Sequence, residues 1–529
     1  MQSLFIFFLN FMSSTANRVI KNTGYLYAKM GITMFISLYT TRLILNSLGA
    51  SDFGIFNIVG GAIAMLGFLN AAMASATQRF MSYSEGEGNK EKQKSIFNVS
   101  FVLHLGISFV VGIALLIAGY FFFNGILNIP ADRVFAAKVV YGSLIVSTMF
   151  TVMTVPYDAA MNAHENMKYY AIVGIFESFL KLAVAFACVY TTFDKLIVYG
   201  SLMACIPLIT LTIMRVYCHR HYEECVIVPR RYWNKGLMRE MTSFAGWGFL
   251  GSISSLLSNY GNGIVLNHFW GTTLNAAQGI GNQLNGQLMT FSNNMIKAIN
   301  PVIAKTEGEG KREIMLKASC LGCKYSFYLL AFFGIPFIIE TPYILKLWLH
   351  NVPEWTVTFF RFELLRSLLG QLIVVLQRAI DAEGHIKNYS ILRSLSYFLP
   401  FPLLIVAFSF QASPSWMYII WIFCSNILGG GIVLYYCKKN CGLSIKYYMS
   451  EVIHPCFILF TVCILVSSIP SYIILMESSF IRLMITCIIS TGTFITLFFL
   501  YGISKEERLA IKNILKKLLK IDDKHTYRQ

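Results

Sequence analysis

Ser84-Glu85-Gly86-Glu87-Gly88-Asn89-Lys90 and Thr306-Glu307-Gly308-Glu309-Gly310-Lys311-Arg312 are one loop written twice. The offset is about 220 residues, and within a few positions it also aligns Leu45-Asn46 with Leu266-Asn267 and Gly49 with Gly271. Further along it lays Ala160, Asn162, Ala163, Lys168, Tyr170 and Ile172 over Ala379, Asp381, Ala382, Lys387, Tyr389 and Ile391. One coincidence would carry little weight. An ordered series at one offset indicates a duplicated unit, and the fold must be read as two copies of it.

The solvent for that fold follows from composition. Of 529 residues, 56% are hydrophobic and 13% charged, and the mean hydropathy of +0.60 leaves too little polar surface to cover a water-soluble globule. A bilayer core needs about 20 apolar residues per helical span. Such stretches recur along the chain and predict an all-α polytopic membrane protein with about fourteen spans, centred near residues 35, 66, 109, 146, 180, 206, 253, 285, 328, 368, 399, 425, 462 and 490. The apolar run Leu4 to Met12 has only about ten residues and is too short to span, so Met12 is a candidate true start. The expected layout is a cytoplasmic N-terminus over 1–23, a six-helix lobe over 24–225, a cytoplasmic linker over 226–239, a second six-helix lobe over 240–445, two extra spans over 446–502 and a tail over 503–529. An even number of spans per copy makes the lobes parallel repeats about an axis along the membrane normal, which places a cavity between them.

The net charge of +17 is distributed by topology and does not form one nucleic-acid groove. With a cytoplasmic N-terminus, roughly three quarters of Lys and Arg fall on one side, among them Arg18, Lys21, Arg79, Lys90 and the Arg215–Arg239 and Lys297–Lys317 stretches. The opposite loops hold few, including Arg133 and Lys195. The positive-inside rule therefore puts both termini in the cytoplasm of an inner-membrane protein. The 12 cysteines are scattered and suggest no disulfide framework. Cys218, His219, His221 and Cys225 lack a recognised zinc spacing, so no metal or other cofactor is expected. Ser504 and Glu507 spell a capping box ahead of a stripe of Ile511, Ile514, Leu515, Leu518 and Leu519 flanked by lysines. That basic amphipathic helix suits either the anionic leaflet surface or a solvated tail.

Charge in hydrocarbon costs ~2.5–3.5 kcal/mol per residue on insertion scales, so ions inside spans are functional candidates. They are Lys29, Arg42, His104, Glu177, Lys181, Lys324, Arg361, Glu363 and Arg366. Lys29 and Arg42 lie ~20 Å apart along span one and mark two levels of a polar path, unless each snorkels to its nearer interface. Glu177 and Lys181 have i, i+4 spacing, which favours a neutral structural pair over a coupling site. Arg361 and Arg366 sit near a tryptophan-rich interface with Glu363 to neutralise one of them. Interfacial anchoring competes there with pyrophosphate binding. Span seven carries Ser252, Ser255, Asn259 and Asn262 at helical spacing, and span eight continues with Gln278, Asn282, Asn285 and Asn293. Such polar faces must point inward, toward neighbouring helices or toward a hydrated cavity suited to sugar hydroxyls.

The duplication, the span count and the stretch from Tyr39 to Phe80, with Leu45-Asn46-Ser47-Leu48-Gly49, Asp52-Phe53-Gly54 and Ala74-Ser75-Ala76-Thr77-Gln78-Arg79-Phe80, resemble the multidrug/oligosaccharidyl-lipid/polysaccharide export (MOP, MATE-like) superfamily. Within it the chain is most similar to Wzx-type polysaccharide flippases serving O-antigen and lipopolysaccharide synthesis, in a Bacteroides-like branch. The resemblance implies two six-helix lobes around a cationic cavity and translocation of a polyprenyl-pyrophosphate-linked oligosaccharide. It also implies two final spans that offer a groove to the lipid tail. Membrane lipids, a polysaccharide polymerase and glycosyltransferases are the implied partners, around a monomer that breaks no bonds and is no enzyme. The family has no single site motif, so Lys29, Arg42, Arg361, Arg366 and the amides Asn259, Asn262, Gln278, Asn282 and Asn285 are site candidates on polarity alone.

The expected mechanism is alternating access, with cations holding the pyrophosphate and amides the sugars. A peptidoglycan-precursor flippase is the nearer competitor, separable by gene essentiality. A cation-coupled drug antiporter of the same superfamily would want unpaired carboxylates deep in its lobes. A membrane glycosyltransferase would want a large carboxylate-bearing loop, and the stretch near Glu340 to Glu354 is short.

Overall fold

The computed structural model describes residues 2–64, 68–126, 129–349, 352–504 and 507–508. The amphipathic tail expected beyond Arg508 lies outside them. Among the described residues the chain is helical, with no strand. Its helices are α1 (Gln2–Ala64), α2 (Phe68–Glu87), α3 (Lys90–Phe121), α4 (Val134–Ala163), α5 (Met167–Tyr190), α6 (Lys195–His221), α7 (Lys235–Gly308), α8 (Arg312–Leu349) and α9 (Thr356–Glu383). Then come α10 (Lys387–Ser409), α11 (Trp416–Cys441), α12 (Ile445–Ser467) and α13 (Phe480–Gly502). Short joints start helices with side-chain caps, as elsewhere where the first N–H groups need acceptors. Asn89 accepts from Lys92 N at 3.0 Å, Asn166 from Tyr169 N at 3.2 Å and Asn234 from Leu237 N at 3.0 Å.

The duplication shows in the backbone. α1 breaks at Gly49 (φ 77°) and α7 breaks at Gly271 (φ 80°), while Gly88 (φ 69°) and Gly310 (φ 72°) follow the helices that end at the repeated loops. Glycine takes this left-handed conformation without steric cost, so the aligned glycines turn the chain at matching places in each copy.

Nine helices among the described residues are long and apolar enough to cross a membrane. The positions expected for spans one, seven, eight and ten fall on α1, α7 and α9, and the centre expected for span two, near residue 66, lies outside the described residues. Of these, α7 carries the amide series and α9 carries Arg361, Glu363 and Arg366. Phe109, Val110, Ile113, Leu116 and Ile117 of α3 lie exposed, as do Phe457, Leu465, Ile481 and Ile488 of α12 and α13. Exposed apolar surface of this extent is stable only against lipid, and the chain is a multi-pass membrane protein.

The packing is uneven along the helices. Toward the Gly88 and Gly310 loops, here the basic end, one buried core runs through both halves, from Met73, Phe80 and Met81 to Ile296, Ile299 and Ile303. Toward Gly49 and Gly271 the cores separate. Ile55, Leu115 and Tyr141 cluster within the N-terminal half, and Val265, Phe359 and Trp421 within the C-terminal half. The seam at the basic end is reciprocal. A Cβ on Gly86 of α2 would overlap the carbonyl oxygen of Lys305 and stand 2.8 Å from its carbonyl carbon. A Cβ on Gly308 of α7 would overlap the carbonyl oxygen of Tyr83 and stand 2.9 Å from its carbon. Both pairs obey the offset of the sequence repeat, so the two copies grip each other symmetrically.

The last two helices dock on α8 at both of its levels. Glu340, with 0% exposure, receives Arg482 of α13 at 2.8 Å and the hydroxyls of Ser471 and Thr486 at 3.0 Å. Lys324, expected as an unexplained ion of span nine, meets Glu507 at 2.8 Å, and Tyr328 donates to Gly502 O at 3.0 Å. Ser504 and Glu507 form the reciprocal backbone bonds of the capping box.

Candidate functional site

Lys29 reaches the interior of the N-terminal half because α1 packs on α5 at a glycine. A Cβ on Gly174 would overlap Lys29 Cε and Nζ and stand 3.1 Å from Cδ, so the lysine stem occupies the space a side chain would fill. Lys29 Nζ then lies 4.3 Å from the Tyr170 ring centroid. From the other half, Lys297 Nζ of α7 lies 3.7 Å from the same centroid. Two ammonium groups, one from each half, thus share one aromatic ring, an attractive but mutually repulsive arrangement that calls for an anion nearby.

That anion is partly supplied. Lys29, Tyr170 and Gly174 border a cavity of about 650 Å³, measured to its open mouth. Thr151, Thr154 and Asp158 of α4, Glu177 of α5, and Pro207 and Thr210 of α6 complete much of its wall. Asp158 Oδ1 is buried and has no hydrogen-bond partner. Glu177 is engaged by Lys181 at 2.6 Å. Lys29 is the cation of this wall and Asp158 and Glu177 are its two carboxylates, while Lys297 and Lys181 add positive charge from beside it, against Tyr170 and Glu177.

Asp158 and Lys297 were absent from the ions expected inside the membrane. Asp158 lies well past the centre of its span, and Lys297 reads as part of the basic loop from Lys297 to Lys317. In the structure α7 continues to Gly308, which carries Lys297 into the bundle. Neither spacing nor periodicity ties Lys297 to Lys29 or Tyr170, which stand far apart in the chain.

The remaining candidates divide. Asn285 Nδ2 donates to Ser367 Oγ at 2.9 Å and to Glu363 Oε1 at 3.3 Å, and Glu363 accepts from Arg366 at 2.5 Å and 2.9 Å. Arg366 also lies 4.2 Å from the Trp421 ring, so Asn285 and Arg366 belong to one network. Arg361 lies elsewhere. It donates to Ile338 O at 2.8 Å and Ile339 O at 3.2 Å, beside the kink at Glu340, where Pro342 cannot bond the carbonyl four residues back. Gln278 is buried with its Oε1 3.1 Å from the Cβ position of Gly263. Asn262 is buried with neither amide atom partnered. Asn259 is exposed and bonds Ser255 O within its own helix at 2.8 Å. Asn282 and Arg42 are exposed. The structure thus gathers Lys29, Glu177 and Lys181 at one site and Asn285 and Arg366 at another.

The sequence profile of the family described as polysaccharide biosynthesis protein matches residues 19–307. No curated protein sequence matches the chain. Among solved structures, MATE in the bent conformation superposes with a TM-score of 0.69 at 13% identity, covering 81% of this chain and 97% of that one. A MOP superfamily transporter from Pyrococcus furiosus, described as having a binding pocket of reverse polarity, gives 0.66 at 13% identity over 81% and 97%. A multidrug resistance MATE family transporter of the MOP superfamily in an outward-facing conformation gives 0.65 at 11% identity over 81% and 96%. At these identities the likeness is one of fold.

Proposed function

The chain belongs to the polysaccharide biosynthesis protein family, and from that premise we propose that this membrane transporter is a flippase for a polyprenyl-pyrophosphate-linked oligosaccharide. It is a transporter of the MOP superfamily, not an enzyme. The observation that carries the proposal is the meeting of Lys29 and Lys297, from opposite halves, on Tyr170 beside a hydroxyl-lined cavity. A diphosphate bridging two lysines of different halves would bind most tightly in one relative placement of those halves, and binding that differs between states is what drives a conformational cycle.

Charge distribution supports an inner-membrane setting with the basic end and both termini in the cytoplasm. On that orientation the fused core and the glycine seam close the cytoplasmic side, while the separate cores leave the periplasmic side free to part. Arg42, Asn259 and Asn282 are exposed and suit the wall of the parted cleft. The sugars travel past the amides while the polyprenyl tail stays in lipid. Membrane lipids, a polymerase and glycosyltransferases fit as partners of a monomer acting in surface polysaccharide synthesis.

One observation favours a second reading. The unpartnered Asp158 oxygen is the kind of deep carboxylate that a cation-coupled antiporter needs. Deleting the gene separates the two. A flippase leaves lipid-linked repeat units on the inner leaflet and depletes surface glycan, whereas unchanged glycan with altered drug sensitivity selects the antiporter.

A further inference from the structure

A second cavity, apart from the lysine site, lies between the halves at the basic end. It encloses about 370 Å³ to its open mouth, among α2, α7 and α9, and Arg79, Ser82, Asn300, Arg378 and Asp381 are in its wall. Arg79 of α2 donates to Asp381 O at 3.1 Å and Ala382 O at 2.9 Å. These are carbonyls of the last turn of α9, which stops at Gly384 with φ 105°. Arg378 reaches the Asp381 carboxylate at 3.2 Å. Three atoms on three helices remain unbonded, namely Ser82 Oγ, Asn300 Oδ1 and Arg378 Nε, and Ser82 has 0% exposure. Two guanidinium groups face one carboxylate in this wall. Glu240 and Glu383 act on Arg79 from outside it.

We propose that this niche takes a phosphoryl oxyanion from the side of the basic loops, and that Arg79 gives up the two carbonyls of α9 to receive it. Backbone carbonyls are neutral acceptors. Paired phosphoryl oxygens offer charge-assisted, bidentate bonds to the same planar fork, and these are roughly twice as strong. Ser82 Oγ–H and Arg378 Nε–H supply two further donors, and the Asn300 amide turns either way to add a third. Arg79 stands on one half and its present acceptors on the other, so capture of the anion exchanges a direct contact between the halves for a longer one made through the anion. Binding and opening are thereby linked through one side chain. Naming the anion as the diphosphate of a lipid-linked glycan rests on the transport reading. An anionic phospholipid headgroup offers the same chemistry.

The test uses the full-length protein in nanodiscs of zwitterionic lipid, titrated with inorganic pyrophosphate and followed by calorimetry. Ala304→Cys, at the cavity wall, reports opening through its rate of labelling by a water-soluble maleimide. Saturable binding, labelling faster by about fivefold, and affinity lower by about tenfold in Arg378→Gln are expected. Ser82→Ala, which removes one hydroxyl, keeps the test open should the arginine variant unfold, and it weakens binding by about threefold. Nanodiscs containing phosphatidylglycerol that speed labelling without pyrophosphate identify a lipid headgroup as the source and support the niche. Absence of saturable binding, binding indifferent to both variants, or binding without faster labelling overturns the proposal. If Arg378→Gln loses pyrophosphate binding yet flips a lipid-linked glycan at the wild-type rate, the niche stands outside the transport cycle. If pyrophosphate binds as expected in a protein that flips no glycan lipid, the transport reading fails and the niche survives.

Discussion

Replacing Gly308 with Ala should unseal the basic end by a calculable amount. The added methyl would sit 2.9 Å from the Tyr83 carbonyl carbon, where carbon atoms ordinarily rest about 3.5–4.0 Å apart. The α2 and α7 backbones must therefore separate by at least roughly 0.6–1.1 Å, since the carbonyl oxygen lies nearer still, and neither can yield as a flexible side chain would. Forcing a methyl into such a contact costs ~1–3 kcal/mol. Alanine also favours helix over glycine by ~0.5–1 kcal/mol, but α7 is helical whether the halves meet or part, so that gain cancels between the two states. The sealed form should lose roughly 5- to 150-fold in population against the open one, at 1.4 kcal/mol per tenfold. Maleimide labelling of Ala304→Cys in excess of the parent's own cysteines, at a residue 6% exposed in the sealed form, measures this. Gly86→Ala should behave the same way, because its methyl meets Lys305 in the mirrored geometry. The double variant should fall short of the sum, since one separation relieves both overlaps. Labelling within twofold of the parent in both single variants, with thermal stability unchanged, would refute the reciprocal seam.

Lys29→Ala should cut flipping of a lipid-linked glycan by about tenfold or more, and Gly174→Ala should reproduce much of that loss by displacing the lysine stem, with little added effect in the double variant. Additive losses would show that Gly174 acts elsewhere. Arg42→Ala should impair export without loss of protein from the membrane, and wild-type flipping would remove Arg42 from the cleft wall. Glu340→Ala leaves the part-buried Arg482 without its carboxylate, with Met476 O and Ser478 Oγ still accepting from it, and should cost at most ~3–5 kcal/mol, seen as a lower melting midpoint and faster proteolysis between Ser467 and Phe480. Unchanged proteolysis there would contradict the docking of the last two helices. Asp194 caps α6 at 3.0 Å and 3.1 Å and pairs with Arg133 at 2.7 Å. Burial alone would raise its carboxyl, but Arg133 and the two amides hold it below its ordinary 3.8. A depressed carboxyl stabilises the fold fully above that ordinary value and stops doing so as pH falls through the lowered one. The melting deficit of Arg133→Ala against the parent should stay level from about pH 7 to 5 and shrink at more acid pH; a deficit independent of pH down to the acid limb would count against the pair.

The duplicated loop was legible because its glycines serve backbone geometry, and geometry repeats when a fold repeats. Gly49, Gly88, Gly271 and Gly310 announced their turns in this way. Lys29 was legible as a charge in an apolar helix, but its partner from the other half was not, since the helix that carries Lys297 runs beyond the apolar stretch that marks the span. Asn259 and Asn285 look equivalent at helical spacing, yet one bonds its own helix and the other a carboxylate network on α9. Periodicity assigns a face and leaves open what that face meets. Lys324 illustrates the same limit, because its counter-ion Glu507 is 183 residues away in the chain.

Attachment of α12 and α13 at two levels of α8 has a mechanical corollary. A single rivet permits swivelling, whereas two set far apart on one shaft fix its passenger's bearing. Whatever displacement separates the halves, these helices must be carried by the C-terminal one as ballast. If the halves rock as proposed, that partner moves with two more helices than the N-terminal one and meets the greater viscous resistance from lipid.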